Sequence, residues 1–334
     1  MSKPSDQRST IRRLWEKAEG SPNLLSTASS FSAPVGPRIS TTSLGGYYID
    51  FSFKAKEPTW PPPWLGHDGG RLHVAAAQWG LGCYERYLAG EGDAWLAAAR
   101  RTADHLDAEQ QTEGPQRGGW VHEFRHRHTF PLEPPWLSGM AQGEGASLLL
   151  RVHRETGEER YAQAARLALD PMEIPSAEGG VRANLGGGFF PEEYPTSPPS
   201  LVLNGGLFAL WGCFDVALAL DDPRARELWE EGLATLAAHI DDFDTGYWSR
   251  YDLFPHPVAN IASAAYHQLH ISQLRATLTI AESAPLAAAA DRFERYAAAR
   301  GAAARAFAAK VAFRLVVPRN PLMARRLPWS RLRR

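Results

Sequence analysis

Two adjacent carboxylates and three phenols are the residues of this chain best suited to chemistry. Glu192, Glu193, Tyr194 and Pro195 lead through Thr196-Ser197-Pro198-Pro199-Ser200 into an apolar run that carries Asn204 and Gly205 at its opening. Two more tyrosines stand in compact polar settings, Tyr251-Asp252-Leu253 and Tyr266-His267-Gln268-Leu269-His270. Acids and phenols brought together suit abstraction of a proton next to a carboxylate, where one group takes the proton and another returns it. Pro195 restricts the residue before it to extended backbone, which sets the Glu193–Tyr194 pair in a loop. A lone Glu-Tyr pair in a loop is ordinary surface; its place just ahead of an apolar helix gives it weight.

The elements that must position these groups are helices. Apolar spacing predicts helices over 72–88, 95–106, 140–153, 160–169, 201–220, 224–240, 262–280 and 286–316. Acidic residues with Gly or Pro punctuate the joints at 90–93, 155–158 and 221–223. A repeat lies beneath this pattern: Gln78, Gln142, Asn204 and His267 sit near the openings of alternate helices, 64, 62 and 63 residues apart. Helices that are apolar nearly all round alternate with amphipathic ones. That describes a mainly α fold, an α/α toroid or incomplete barrel of helix pairs. The polar openings of its inner helices would converge on one mouth, which makes those four residues site candidates; plain helix capping is the alternative reading. Glycines at 80, 82, 143, 145, 205 and 206 imply close approach, since Gly inside a helix costs about 1 kcal/mol relative to Ala. Long loops at 118–123, 186–190 and 244–248, the first containing Trp120, are the expected seats of function.

Ahead of the helices, residues 1–45 are rich in Ser, Thr and Pro and read as an extended or disordered arm. Residues 46–69 read as a β-hairpin or loop segment. Within it 47–53 alternates like a strand, and Trp60 and Trp64 flank three prolines. The barrel is expected over 70–300 and a basic tail over 301–334. From Arg295 onward there are ten Arg, one Lys and no acidic residue, while the whole chain carries a formal charge of -1. Such a tail is either a solvated helix end or a contact for an acidic membrane surface or polyanion. Hydrophobic residues at 44% and charged residues at 22% are ordinary for a globular protein. Two cysteines, no apolar leader and no uninterrupted apolar stretch of bilayer length set the expectation of a cytoplasmic protein. No cofactor motif is present. His267 and His270 lack a carboxylate at matching spacing, so no metal is expected, and no nucleic-acid partner either.

From Pro134 to Tyr296 the chain resembles the catalytic C-terminal domain of the heparan sulfate D-glucuronyl C5-epimerase family. The matching segments are 135–143, 192–205, 244–246 and 251–253, and Tyr266-His267 with His270, Ile271 and Gln273. Weaker similarity reaches back through Gly119-Trp120 and residues 78–81 to Tyr47-Tyr48. The resemblance implies an α/α-barrel, a homodimer and an anionic glucuronan polysaccharide or oligosaccharide as substrate. It also implies catalytic roles for Glu193, Tyr194, Tyr251 and Tyr266, with Asn204 contacting substrate. Gln78, Gln142, Trp120, His267, His270 and Arg250 complete the expected substrate-binding set. The reaction implied is conversion of glucuronate to iduronate by removal of H5 and return of a proton to the opposite face. A polysaccharide lyase on the same scaffold and an inactive glycan-binding protein are the competing readings. The chain departs from the family where Phe254 replaces an Arg and where Ser263-Ala264-Ala265 precedes Tyr266. A cation for the substrate carboxylate must then come from Arg250, His256, His122 or Lys54.

Overall fold

The computed structural model describes residues 33–62, 72–126, 129–130 and 132–318. Four inner helices form its frame: α1 (His73–Leu88), α3 (Gly139–Thr156), α6 (Leu203–Leu220) and α8 (Ala264–Ile280). They pack in series, α1 on α3, α3 on α6 and α6 on α8, as an open arc. Each is backed by an outer helix: α2 (Asp93–Glu109), α4 (Glu159–Leu167), α7 (Pro223–His239) and α9 (Ala284–Ala298). One turn, α5 (Asp170–Glu173), follows α4, and a final helix, α10 (Ala302–Val316), follows α9. The expected helix-pair architecture is the one observed.

Local chemistry sets these boundaries. Ser138, Asp222, Ser263 and Ser283 cap α3, α7, α8 and α9 by accepting from backbone N–H groups two or three residues into each helix. Pro223 begins α7 at a position where no N–H is needed. The single helix expected over 286–316 is two, because Gly301 adopts φ 83 between α9 and α10. At the centre, α6 is apolar and long enough to cross a bilayer, but it is packed between α3, α7 and α8 as the innermost core helix. The α3 and α6 backbones touch at Gly143 and Gly212: a methyl group on Gly212 would lie 2.3 Å from Gly143 Cα.

Residues 47–53 do not form the expected strand. The segment makes one antiparallel bridge, Val35 to Ile49, then turns into a 3-10 helix at Ser52–Lys54. Its aromatic residues serve packing: Tyr47 and Tyr48 are buried against Trp211 of α6, and Phe51 against Phe208. A buried ion pair holds it there. Arg151 of α3 meets Asp215 of α6 at 2.6 Å, Tyr48 donates to the same Asp215, and Arg151 donates to the Gly46 carbonyl. The one sheet among the described residues lies elsewhere. It is the hairpin β1 (Arg182–Leu185) and β2 (Gly188–Pro191), with Leu185 paired to Gly188. The sequence reading has a loop over 186–190; the left-handed Gly186 and Gly187 instead make a tight hairpin turn. Trp64, residues 1–32 of the arm and 319–334 of the basic tail lie outside the described residues.

Candidate active site

Glu193 and Tyr194 reach the mouth of the arc because β2 delivers them there. Pro191 ends the hairpin, Glu192 donates its N–H to the Val181 carbonyl and accepts Gly139 N–H at the start of α3. The Glu192 carboxylate then closes the following loop on itself. It accepts from Ser200 N at 2.9 Å, Ser200 Oγ at 2.6 Å and Leu201 N at 2.7 Å. That closure holds Leu201 at φ 50, left-handed backbone that a branched side chain rarely adopts. Of the two adjacent acids, Glu192 builds the loop and Glu193 faces the interior.

Tyr251 arrives from a second direction. Its carbonyl accepts from Leu203 N, Leu253 N donates to Ser200, and Val202 bridges Asp252, so 251–253 is stitched to the opening of α6. Tyr266 comes from a third. Ser263 caps α8 by accepting from Tyr266 N at 3.3 Å, which fixes Tyr266 in the first turn. The Tyr251 and Tyr266 rings meet edge to face, centroids 4.9 Å apart. Tyr194 lies within hydrogen-bonding reach of both the Glu193 carboxylate and the Tyr251 hydroxyl. Thus Glu193, Tyr194, Tyr251 and Tyr266, 73 residues apart along the chain at the extremes, form one cluster.

Burial governs its electrostatics. Loss of solvent raises the Glu193 carboxyl to about 7; the Tyr194 hydrogen bond pulls it down and the Glu192 charge pushes it up. Burial and the Glu193 charge push the hydroxyls of Tyr194 and Tyr251 well above the ordinary phenol value. Both phenols are therefore proton donors at neutral pH, and Glu193 titrates there. Tyr266 is 40% exposed and faces the opening. Gly205 permits this packing: a Cβ there would fall 2.5 Å from Glu193 Oε2. Glu193 Oε2 and Asn204 Oδ1 are both buried without a hydrogen-bond partner. Such atoms cost about 1–3 kcal/mol each unless something donates to them.

The other expected site residues divide. Gln142, Trp120 and His267 have their polar atoms engaged within the fold. Gln142 binds Trp120 N and the Gly118 and Ala168 carbonyls. Trp120 donates to the Leu106 carbonyl, and His267 is held between Ser249 and the Phe293 carbonyl. These three tie the core rather than face a ligand; the 62–64-residue repeat marks helix openings, and polar residues there serve the fold as readily as a site. His270 shares the Ser249 hydroxyl through Nδ1, with Nε2 buried and unpartnered. Arg250 bridges Ile261 just ahead of Tyr251, and its Nε is buried without a hydrogen-bond partner. Among the other cation candidates, His256 is paired with buried Asp252 at 3.4 Å and His122 stacks on Trp136. Lys54 bonds to Gln78, whose amide donates to Glu144 at 2.8 Å.

Glu144 is the residue the sequence reading missed. It is fully buried on α3, its Oε2 lacks a partner, and the Glu193 charge adds to the cost of ionising it. Burial first, and that charge, push its carboxyl well above the usual range, while Gln78 and Lys54 pull it down. The available signal was an acid between two glycines in the buried first half of α3. Beside the cluster runs a groove of about 530 Å³, lined by Phe130, Trp136, Pro195, Thr196 and Phe254 among others. The Tyr194 ring packs on Phe130 at one of its walls.

A family model described as the D-glucuronyl C5-epimerase C-terminus matches residues 113–295, more than half of the chain. The chain belongs to this family. The four clustered residues all lie inside the matched segment of this epimerase-family domain, and α10 lies outside it. Over 199 residues the chain is 35% identical to D-glucuronyl C5-epimerase of Caenorhabditis elegans, a stretch covering 54% of this chain and 32% of that protein. Over 159 residues it is 29% identical to an uncharacterized protein of Methanocaldococcus jannaschii, covering 45% and 50%. The chain thus spans a third to a half of the length of these relatives.

Proposed function

We propose that this protein is a uronyl C5-epimerase that inverts glucuronate within an anionic polysaccharide. One observation carries the reading: the buried Glu193 carboxyl contacts Tyr194, Tyr194 contacts Tyr251, and Tyr266 lies across the Tyr251 ring, with burial raising Glu193 to about 7. H5 of a glucuronate is acidified by the adjacent carboxylate, and its removal leaves an enediolate with doubled negative charge. A site for that step needs a base poised near ambient pH and hydrogen-bond donors aimed at the developing charge. Glu193 fits the first need; the phenols fit the second and supply the returning proton. Glu193 and Tyr266 reach the cluster from different elements, which suits transfer on two faces of one ring. The adjoining groove has room for neighbouring sugars of a chain.

The test is NMR of a glucuronan such as heparosan incubated with the protein in deuterium oxide. Deuterium at C5 with the chain intact and iduronate appearing is the expected result. Chain cleavage with absorbance of an unsaturated uronate makes the protein a lyase, and binding without exchange makes it a non-catalytic glycan-binding protein.

A further inference from the structure

The last described helix, α10, packs onto the segment that carries Tyr251. Ala306, Phe313 and Arg314 are buried there, and Ala306 belongs to the same apolar cluster as Tyr251, Val202 and Trp248. Arg314 donates to Thr129 at 2.9 Å, and the Arg305 guanidinium sits 3.6 Å from the centre of the Tyr247 ring. Between these anchors, Lys310 points at the site. Its Nζ lies 5.5 Å from the centre of the Tyr251 ring and donates to Asn260 Oδ1 at 2.7 Å. Asn260 is fully buried; its amide donates to the Asp252 carboxylate, and its carbonyl accepts from Tyr251 N at 2.7 Å. A chain of contacts therefore runs from Lys310 through Asn260 to Asp252, the acid next to Tyr251.

Buried Asp252 is a liability to the proposed reaction. A carboxylate beside Tyr251 opposes a substrate carboxylate and opposes still more the second charge that forms when H5 leaves. Around it stand His256 at 3.4 Å, the Asn260 amide, the like-charged Glu192 carboxyl and, beyond the amide, the Lys310 ammonium. We propose that α10 completes the active site, with Lys310 as a positioning residue whose charge offsets Asp252 and keeps the Tyr251 hydroxyl available to the reacting sugar. This rests on the epimerase reading. It assigns a role to a segment beyond the family-matched residues, and it gives one cation of the basic C-terminal run a task other than binding a distant polyanion.

Exchange of H5 in deuterium oxide with a soluble heparosan oligosaccharide is measured for the full chain and for Lys310→Met and Lys310→Arg, across pH. Removing a unit charge at this range in a partly buried site is worth about ten- to a hundredfold. Lys310→Met is expected to lower kcat by about that factor, with a smaller effect on KM. The limb on which the rate rises with pH, set by the Glu193 carboxyl at about 7, is expected to move to higher pH, because an acid losing a nearby cation holds its proton more tightly. Lys310→Arg, which keeps the charge and the donor to Asn260, is expected to restore most of the rate. Unchanged kcat and pH profile in Lys310→Met overturn the proposal. So does an equal loss in both variants with no shift of the limb, which marks a purely structural contact. Absence of exchange in the unmodified protein overturns the epimerase reading itself, a result distinct from either.

Discussion

Replacing Gly205 by Ala separates the geometry of Glu193 from the stability of the fold. An ideal Cβ at position 205 would lie 2.5 Å from both Cβ and Oε2 of Glu193 and 3.0 Å from its Cδ. Comfortable carbon contacts are about 3.5–4.0 Å, so Glu193 must retreat by about 1 Å, and the backbone at 193 moves with it because Cβ is one of the atoms met. The helix itself gains about 1 kcal/mol from the substitution, and the overpacking costs about 1–3 kcal/mol. The net change in stability is therefore expected to stay within about 2 kcal/mol, measurable by urea denaturation. A misplacement of about 1 Å at a reacting group is worth about a hundredfold in rate. Gly205→Ala should thus fold and lose about two orders of magnitude in C5 deuterium exchange. Wild-type exchange in a folded Gly205→Ala protein would show that the position of Glu193 does not matter, and the proposed chemistry would fall with it.

Tyr266→Phe is expected to abolish exchange, by about 10²–10⁴-fold, while shifting stability by no more than about 0.5 kcal/mol, since the residue is 40% exposed; retained exchange removes it from proton transfer. Burial holds the Glu193 carboxyl protonated up to about 7, so the exchange rate should rise as pH climbs through that value. Glu193→Gln should remove that rise along with most of the rate, as read from a pH–rate profile. Arg151→Met leaves the buried Asp215 carboxylate without its cation and with only Tyr48 as donor, and is expected to cost about 3–5 kcal/mol in denaturant unfolding. A loss below 1 kcal/mol there would place the anchorage of the 44–51 segment elsewhere.

Helix periodicity is a local property, and it was legible: the eight apolar stretches correspond to helices within a few residues, with the break at Gly301 the main exception. The family resemblance proposed Glu193, Tyr194, Tyr251 and Tyr266 one by one, and the fold brings these four together. Residues 47–53 misled because aromatic alternation records burial on two sides, and helices supplied both sides where a strand expects a sheet. Glu144 was hidden because an acid in a helix gives no sign of its neighbours across the fold, Gln78 on α1 and Lys54 of the Ser52–Lys54 turn. Gln142 looked like a site residue because its spacing matched Asn204, yet its amide closes a backbone junction. What pattern and motif determined is which segments coil and which side chains can hold or release a proton. Only the packing of α6, α8 and α10 around the 249–262 segment decided which of those side chains meet and which are spent on the core. Those contacts join residues dozens of positions apart, and their energy depends on burial and charge that no short window of sequence contains.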